Sequence, residues 1–502
     1  MRSVRIRSRL AVPVIGATVA VMAQPAFANP FFVAGDLVLE TVTAQSTAPG
    51  AGGGYGLDTA APIVLQQYAP TGTTNVASAG SLALPQTGNG ANVAISGEYG
   101  SASEGFLQQS GNGQFLTLTG YGVGATAFNT SGGSSGAYGT AALGQTSNVT
   151  GSGVTNVSRV VGLVNANGNV DTTTAVTGVY NQNNPRSAYT QDGTSFYISG
   201  QGASKTDPTQ GIFYTTRGST TATAIDNSTD TRDVQVVNNT LTVSRDYNPP
   251  GSGLQQSNVG TLTQTGGALP TGSAGITKSV LIPTGVNGSV PTSPAINLTT
   301  ATANGVNNSR LGSFVYASPE EFYYASSSVL YVADSGSPKN GNAGKAALGA
   351  GGLQKWVNSK SDGTGTWSLA YTLYSGLDLV NNDPSIITGS GSNGVGGQND
   401  DVTGLFGLTG EVIGNSVDLF ATSYTKNELD TTYLFGITDS LAATTLPTNE
   451  SFSTLVTALP GEQIRGVSFA PVPEPASMTI LGVGLTTLGA IRRRYLRQRQ
   501  HG

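Results

Sequence analysis

Phe106-Leu107-Gln108-Gln109 and Phe115-Leu116-Thr117-Leu118-Thr119, joined across Gly111-Asn112-Gly113, are the stretch on which the fold turns. Asn-Gly supplies the positive φ angles that a tight hairpin needs, and the flanking runs are short, apolar and rich in β-forming residues. The pattern recurs down the chain. Arg159 to Val164 and Asn169 to Val176 flank Asn167-Gly168; Ser187 to Thr190 and Ser195 to Ser199 flank Asp192-Gly193; Val234 to Val237 and Leu241 to Ser244 flank Asn238-Asn239. Phe322 to Tyr324 precede Val329 to Ala333. Leu353 to Val357 and Thr366 to Thr372 surround Asp362-Gly363, and Glu411 to Ile413 and Val417 to Ala421 surround Gly414-Asn415. Gly35 to Val42 and Pro62 to Tyr68 read as earlier strands, and no stretch of the body keeps a long 3.6-residue period, so the fold class is all-β.

Comparable second strands fall near Phe115, Phe196, Leu241, Leu330 and Leu419. Their steps are close to one or two multiples of about 40 to 47 residues, the length of a four-stranded propeller blade. A β-propeller-like repeat domain of about seven blades is the expected architecture. A β-helix would need shorter coils, and stacked sandwiches would not predict the multiples; both stay open as alternatives. Ring closure requires the strand near Leu37 to Val42 to lie beside that near Val467 to Phe469, because closure hides sheet edges that invite aggregation.

Composition narrows the chemistry. Only 10% of residues are charged, against about 25% in ordinary globular domains, and Gly fills 70 of 502 positions. There is no Cys, so no disulfide holds the fold, and the single His is His501. A Ser-His-Asp triad, a Cys-His pair and His- or Cys-ligated zinc are therefore excluded from the body. Nine of the 23 basic residues sit in the terminal segments, which leaves the body acidic and opposes sequence-independent attraction to nucleic acid.

The two ends read as addresses. Arg2, Arg5, Arg7 and Arg9 precede the apolar run Leu10 to Met22, and Ala26-Phe27-Ala28 offers small residues for cleavage, so residues 1–28 are expected to be a signal peptide handled by the Sec export machinery. The expected body is 29–470. In 471–502, Val472-Pro473-Glu474-Pro475 leads into an uncharged run from Ala476 to Ile491, followed by Arg492-Arg493-Arg494. As a helix that run is about 24 Å long, somewhat short of a bilayer core, and the arginines would snorkel and stay cytoplasmic.

This tail resembles the PEP-CTERM sorting signal of Gram-negative bacteria, which a membrane enzyme of the exosortase class reads. The resemblance implies a sorting motif at Pro473, Glu474 and Pro475, a single transmembrane helix, a basic stop at Arg492, Arg493 and Arg494, and signal cleavage beside Ala26 and Ala28. The body is similar to secreted, propeller-like bacterial proteins that carry such tails. The runs Ser103-Glu104-Gly105-Phe106-Leu107, Gly113 to Tyr121, Arg159-Val160-Val161-Gly162, Pro185-Arg186-Ser187-Ala188, Leu330 to Asp334 and Arg465 to Pro471 carry the likeness. Thr130 to Gly153 and Asn381 to Asp401 depart from it. What it implies is a transient inner-membrane anchor, then a place at the cell surface or in the extracellular matrix, with no catalytic residue to transfer.

Three chemistries remain open. Glu104, Glu320, Glu321, Asp334 and Glu411 are the carboxylates that could pair as glycosidase acids on a propeller face, although solvated turn positions are the plainer reading. Asn399-Asp400-Asp401 and Asn165 to Asp171 gather oxygen ligands of the kind structural calcium takes, but neither matches an EF-hand, and Asx residues in turns usually bind their own backbone. Phe322-Tyr323-Tyr324, Phe196-Tyr197, Trp356 and Trp367 could stack on sugars, but strand neighbours face opposite sides, so core packing is expected. The function expected is a non-catalytic exported surface or matrix protein that contacts exopolysaccharide or other biofilm components. The alternative is a carbohydrate-active enzyme using paired carboxylates.

Processing gives a direct test. Three prolines at Pro471, Pro473 and Pro475 hold the segment extended and open to a processing enzyme. In cells with an active exosortase, mass spectrometry of the exported protein should recover no peptide running through Ile491 to the terminal arginines, and Glu474→Ala should retain the full-length form. Intact C-terminal peptides on the exported protein would refute processing.

Overall fold

The structure, a computed structural model, describes residues 30–44, 58–101, 103–130, 138, 141–149, 155–204, 206–245, 258–283, 318–336, 351–377, 379, 402–425 and 430–473. The signal segment with Ala26 and Ala28, the sorting residues Glu474 and Pro475, the run 476–491, the arginines Arg492 to Arg494 and the Asn399 to Asp401 cluster lie outside the described residues. Pro473 is described and exposed; beside it, the Val472 amide donates to the Gly113 carbonyl at 2.8 Å.

Strands β1 (Leu37–Thr43), β2 (Ala60–Pro70), β3 (Val76–Ala83), β4 (Ser96–Glu98), β5 (Gln108–Gln109), β6 (Phe115–Tyr121), β7 (Arg159–Asn165) and β8 (Val170–Val176) join the last strand, β25 (Glu462–Phe469), in a nine-stranded sheet. A six-residue helix, α1 (Ala125–Thr130), lies between β6 and β7. Four four-stranded antiparallel sheets follow. The first is β9 (Pro185–Tyr189), β10 (Ser195–Gly200), β11 (Gly211–Thr216) and β12 (Thr223–Asp226), and the second is β13 (Val234–Val237), β14 (Thr240–Arg245), β15 (Asn258–Gln264) and β16 (Ile276–Pro283). The third is β17 (Pro319–Ser326), β18 (Val329–Asp334), β19 (Gly352–Asn358) and β20 (Trp367–Leu373), and the fourth is β21 (Val402–Ile413), β22 (Ser416–Thr425), β23 (Tyr433–Ser440) and β24 (Ser453–Thr457). The chain is all-β and propeller-like, with these four sheets as single blades.

Every hairpin named from sequence forms, for local reasons. Asn238 and Asn239 both take positive φ, 48° and 58°, as a two-residue turn between β13 and β14 demands. Asp192 Oδ1 accepts from the amide and hydroxyl of Thr194 at 3.0 and 2.6 Å, and Asp362 does the same with Thr364 at 2.9 and 2.7 Å.

The count of about seven blades is not seen among the described residues. Phe196, Leu241, Leu330 and Leu419 sit in β10, β14, β18 and β22, each the second strand of a successive four-stranded sheet, and Phe115 sits in β6 within the nine-stranded sheet. Among the described residues, the two-unit steps from Leu241 to Leu330 and from Leu330 to Leu419 each pass from one four-stranded sheet to the next. Strand spacing measures blade plus loops, and the loops here are long.

The first and last strands pair. β1 runs antiparallel to β25 with Leu37 opposite Phe469 and Leu39 opposite Val467, and the Ala470 amide donates to the Asp36 carbonyl at 2.8 Å. Apolar clusters fill the seams between sheets. Leu37, Leu39, Phe420, Leu434 and Val467 bind the closing strands to the fourth four-stranded sheet, and Val259, Phe322, Leu330, Trp356 and Trp367 fill the seam between the second and third. Tyr323 packs on the opposite side of β17 from Phe322 and Tyr324, as strand alternation requires, and both Trp residues are buried core.

Leu39 is fully buried at the closure. Leu39→Ala should lower unfolding free energy in urea by about 2–5 kcal/mol, whereas Val412→Ala, at an exposed position, should change it by less than about 0.5 kcal/mol.

Candidate functional site

Three carboxyl groups and one guanidinium converge where the closing strands meet the start of the second blade-like unit. β1 carries Glu40 on the face of Val38 and Val42, both of which are core; β4 ends in Glu98; β25 carries Arg465; and the loop from β4 to β5 carries Glu104. Arg465 Nη1 donates to Glu104 Oε1 at 2.6 Å, and its other terminal nitrogen donates to the Glu98 carbonyl. Glu104 Oε1 also takes the Glu98 amide at 2.5 Å, while Oε2 takes the Tyr121 hydroxyl at 2.7 Å and Asn184 Nδ2 at 3.0 Å. Glu98 Oε1 accepts from the Gly144 amide at 2.8 Å, and its Oε2 lies 3.0 Å from the same Asn184 nitrogen. Gly105, at φ 94°, makes the approach feasible, since a Cβ there would sit 2.7 Å from Arg465 Cδ and 2.9 Å from Glu40 Oε1.

One guanidinium cannot neutralise three buried carboxylates, so protons do the rest. Burial, opposed by the Arg465 charge and assisted by that of Glu104, pushes the Glu40 carboxyl up to about 8. Burial and the nearby Glu104 push Glu98 up to about 7, against the Gly144 and Asn184 hydrogen bonds. Burial also raises the Tyr121 phenol. Arg159, whose guanidinium lies 4.8 Å over the Tyr121 ring, is spent on the carbonyls of Gly144, Thr146, Val157, Tyr180 and Asn183.

A cavity of about 340 Å³, counting its opening to solvent, reaches this cluster. Glu104 and Arg465 form part of its wall with Phe406, Tyr424, Thr432 and Gln463. A small polar molecule entering it meets an ion pair already made, hydroxyls and two aromatic faces.

A second polar group stands where the inner strands converge. Gln108 Nε2 donates to Asp233 Oδ1 at 2.9 Å and to Glu321 Oε1 at 2.5 Å, and Ser187 Oγ donates to the same Asp233 oxygen at 2.9 Å. The Leu408 amide donates to Glu321 Oε2 at 2.6 Å. Burial drives Glu321 well above the usual carboxylate range and Asp233 up to about 7. All five sheets thus meet through side chains and one amide.

The acids named from sequence are divided among these places. Glu104 lines the cavity, Glu321 joins the inner-strand network, and Glu320 and Asp334 lie together near Ser335, whose hydroxyl donates to Glu320 at 2.9 Å. Asp334 takes the amides of Ser318 and Gly336 and the Gln354 side chain, and Glu411 is exposed on β21. Asn165 Oδ1 accepts the amides of Asn167 and Asn169, and Asp171 binds Thr173 and Arg217, so these loop oxygens serve turns and an ion pair. Among the described residues no group of three or more His, Cys, Asp and Glu is placed to hold a metal. Sequence reasoning missed Glu40, Glu98 and Asp233. A charged residue on the apolar face of Leu-Val-Leu-Glu-Thr-Val was the available signal for Glu40.

No family model and no curated protein matches the chain. Among the solved structures that resemble it are puromycin hydrolase, at 12% identity and TM-score 0.31 over 85% of this chain and 49% of that one, and a mutant Synechocystis apocarotenoid oxygenase, at 9% identity and TM-score 0.36 over 88% of this chain and 94% of that one. The chain spans about half the length of puromycin hydrolase. Neither likeness bears on activity.

Because the folded state raises the Glu40 carboxyl from 4.5 to about 8, the folded protein holds a proton that the unfolded chain has lost. Its contribution to stability is full below the unfolded value and disappears as pH rises through the folded one. Glu40→Gln should therefore flatten the fall in stability between about pH 5 and pH 9, measured by urea denaturation across that range. An unchanged slope would refute the protonated assignment.

Proposed function

We propose that the chain is an exported surface or extracellular-matrix protein whose propeller is a rigid, non-catalytic platform for contact with exopolysaccharide or other matrix components. The observation that carries this reading is the use made of the converging acids. Both oxygens of Glu98 and of Glu104 already accept hydrogen bonds from interior groups, and Glu98 is only 6% exposed. A glycosidase acid must meet the glycosidic oxygen, and its partner must meet water or the anomeric carbon.

In this reading residues 1–28 are removed on export, 29–470 form the platform, and 471–502 anchor the chain in the inner membrane until an exosortase acts at Pro473, Glu474 and Pro475. The nine-stranded sheet is taken as two blades, β25-β1-β2-β3 and β5-β6-β7-β8, bridged by β4. That gives six blades with the fold closed by the last strand.

A paired-carboxylate enzyme is the second reading. It is favoured by one feature, the placing of Glu98 and Glu104 oxygens against a single Asn184 nitrogen with Glu104 in the cavity wall. A screen of the purified body against glycans and exopolysaccharides, run with a glycoside hydrolysis assay, separates the two. Saturable binding without turnover is expected, and unchanged after Glu104→Gln. Turnover lost by about a hundredfold or more in Glu104→Gln would establish the enzyme instead.

A further inference from the structure

Lys355, on β19, is fully buried, and its ammonium nitrogen lies 3.0 Å from Oδ2 of Asp439, which is also fully buried at the end of β23. The two strands belong to neighbouring blades, and the pair sits at the seam filled by Tyr331, Leu373, Leu419, Phe435 and Phe452. Phenols hold both oxygens of Asp439: Tyr371 donates to Oδ1 at 2.7 Å, and Tyr331 donates to Oδ2. Lys355 also donates to the Tyr371 hydroxyl at 3.0 Å and to the Ser440 carbonyl at 2.5 Å. A second carboxyl, Glu450, hydrogen-bonds Asp439 and feels the Lys355 charge, and its Oε2 is buried with no hydrogen-bond partner. Burial and the Asp439 hydrogen bond push Glu450 up to about 7.

An amine and a carboxyl polarised by two hydroxyl donors, both out of water, with a half-buried second carboxyl beside them able to carry a proton, are the parts of a condensation. We propose that Lys355 and Asp439 become joined within the folded chain by an amide between Lys355 Nζ and Asp439 Cγ, with Glu450 carrying the proton.

One proton first passes from Nζ to the Asp439 carboxylate across the 3.0 Å contact, giving a neutral amine and a neutral acid. The Nζ lone pair then adds to Cγ, and the carbonyl π pair moves onto oxygen, where a Tyr hydroxyl stabilises it as an oxyanion hole would. Glu450 takes a proton from the new ammonium and returns it to the departing hydroxyl. The C–O bond breaks, water leaves, and Glu450 ends as it began. Nothing is oxidised or reduced, and no co-reactant is consumed. The product replaces two buried charges by one neutral amide and staples adjacent blades in a chain that has no Cys for disulfides.

Peptide mapping of the full chain, denatured before trypsin digestion, reads the bond directly. Trypsin should fail to cut after Lys355, and residues 346–360 should appear joined to 427–465 in a branched peptide lighter than the two by one water. Asp439→Asn should give a product of identical mass, because ammonia leaves in place of water, and Lys355→Arg should give none. Glu450→Gln should slow formation by about a hundredfold or more, with circular dichroism confirming that the variant is folded. Cleavage after Lys355 and a linear 427–465 peptide from folded wild-type chain would overturn the bond and leave an ordinary buried ion pair. Bond formation at the wild-type rate in Glu450→Gln would overturn the role of Glu450.

Discussion

The antiparallel pairing of β1 with β25 is the constraint on which the rest depends. It brings Leu39 opposite Val467 and places Arg465 of the last strand beside Glu104 and Glu98 of the first hundred residues. Without it, the innermost strand of the closing sheet is missing, the guanidinium has no route to the acid cluster, and the seam of Leu37, Phe420 and Leu434 opens. The Thr422 hydroxyl, bound to the Arg465 carbonyl, ties the neighbouring sheet to the same strand. Such closure joins residues more than 400 positions apart, a long-range contact of the kind that slows folding.

Few charges are present, yet an unusual share of them is interior. Glu40, Glu98, Glu104, Asp233, Glu320, Glu321, Asp334 and Asp439 are all buried, most of them on or beside the inner strands. The seams between blades are apolar, so polar residues gather where strands converge, and each must find a partner or a proton. Arg465 and Lys355 answer Glu104 and Asp439 with charge. Glu40, Glu98 and Glu321 are answered by protons held at pH values where an exposed carboxyl would have lost them. Surface acids such as Glu411 stay in water.

The inner-strand ends share one logic. Arg186 and Ser187 on β9, Arg232 and Asp233 before β13, and Glu320 and Glu321 on β17 follow one another around the inside, each pair contacting a neighbouring sheet. Gln108 reaches from β5 to both Asp233 and Glu321, so three sheets share one side-chain amide. Hydrogen bonds this directional fix how far each blade rotates against the next, which apolar packing alone leaves softer.

By itself the sequence determined the all-β class, the hairpins named above from Gln109–Leu116 to Glu411–Asp418, and the burial of Trp356 and Trp367, because these rest on local causes: φ angles at Asn and Gly, and alternation along single strands. It also excluded His- and Cys-based chemistry from the body by composition. The blade count was not legible in strand spacing, because spacing measures loops as well as blades. Which acids meet which partner was decided only in three dimensions. Glu104 with Arg465, Gln108 with Asp233 and Lys355 with Asp439 are separated by 361, 125 and many tens of residues, and no periodicity links them. The first meets through the closing strands and the others where neighbouring sheets pack, and the protonation of the buried acids depends on burial, a property of the packed molecule.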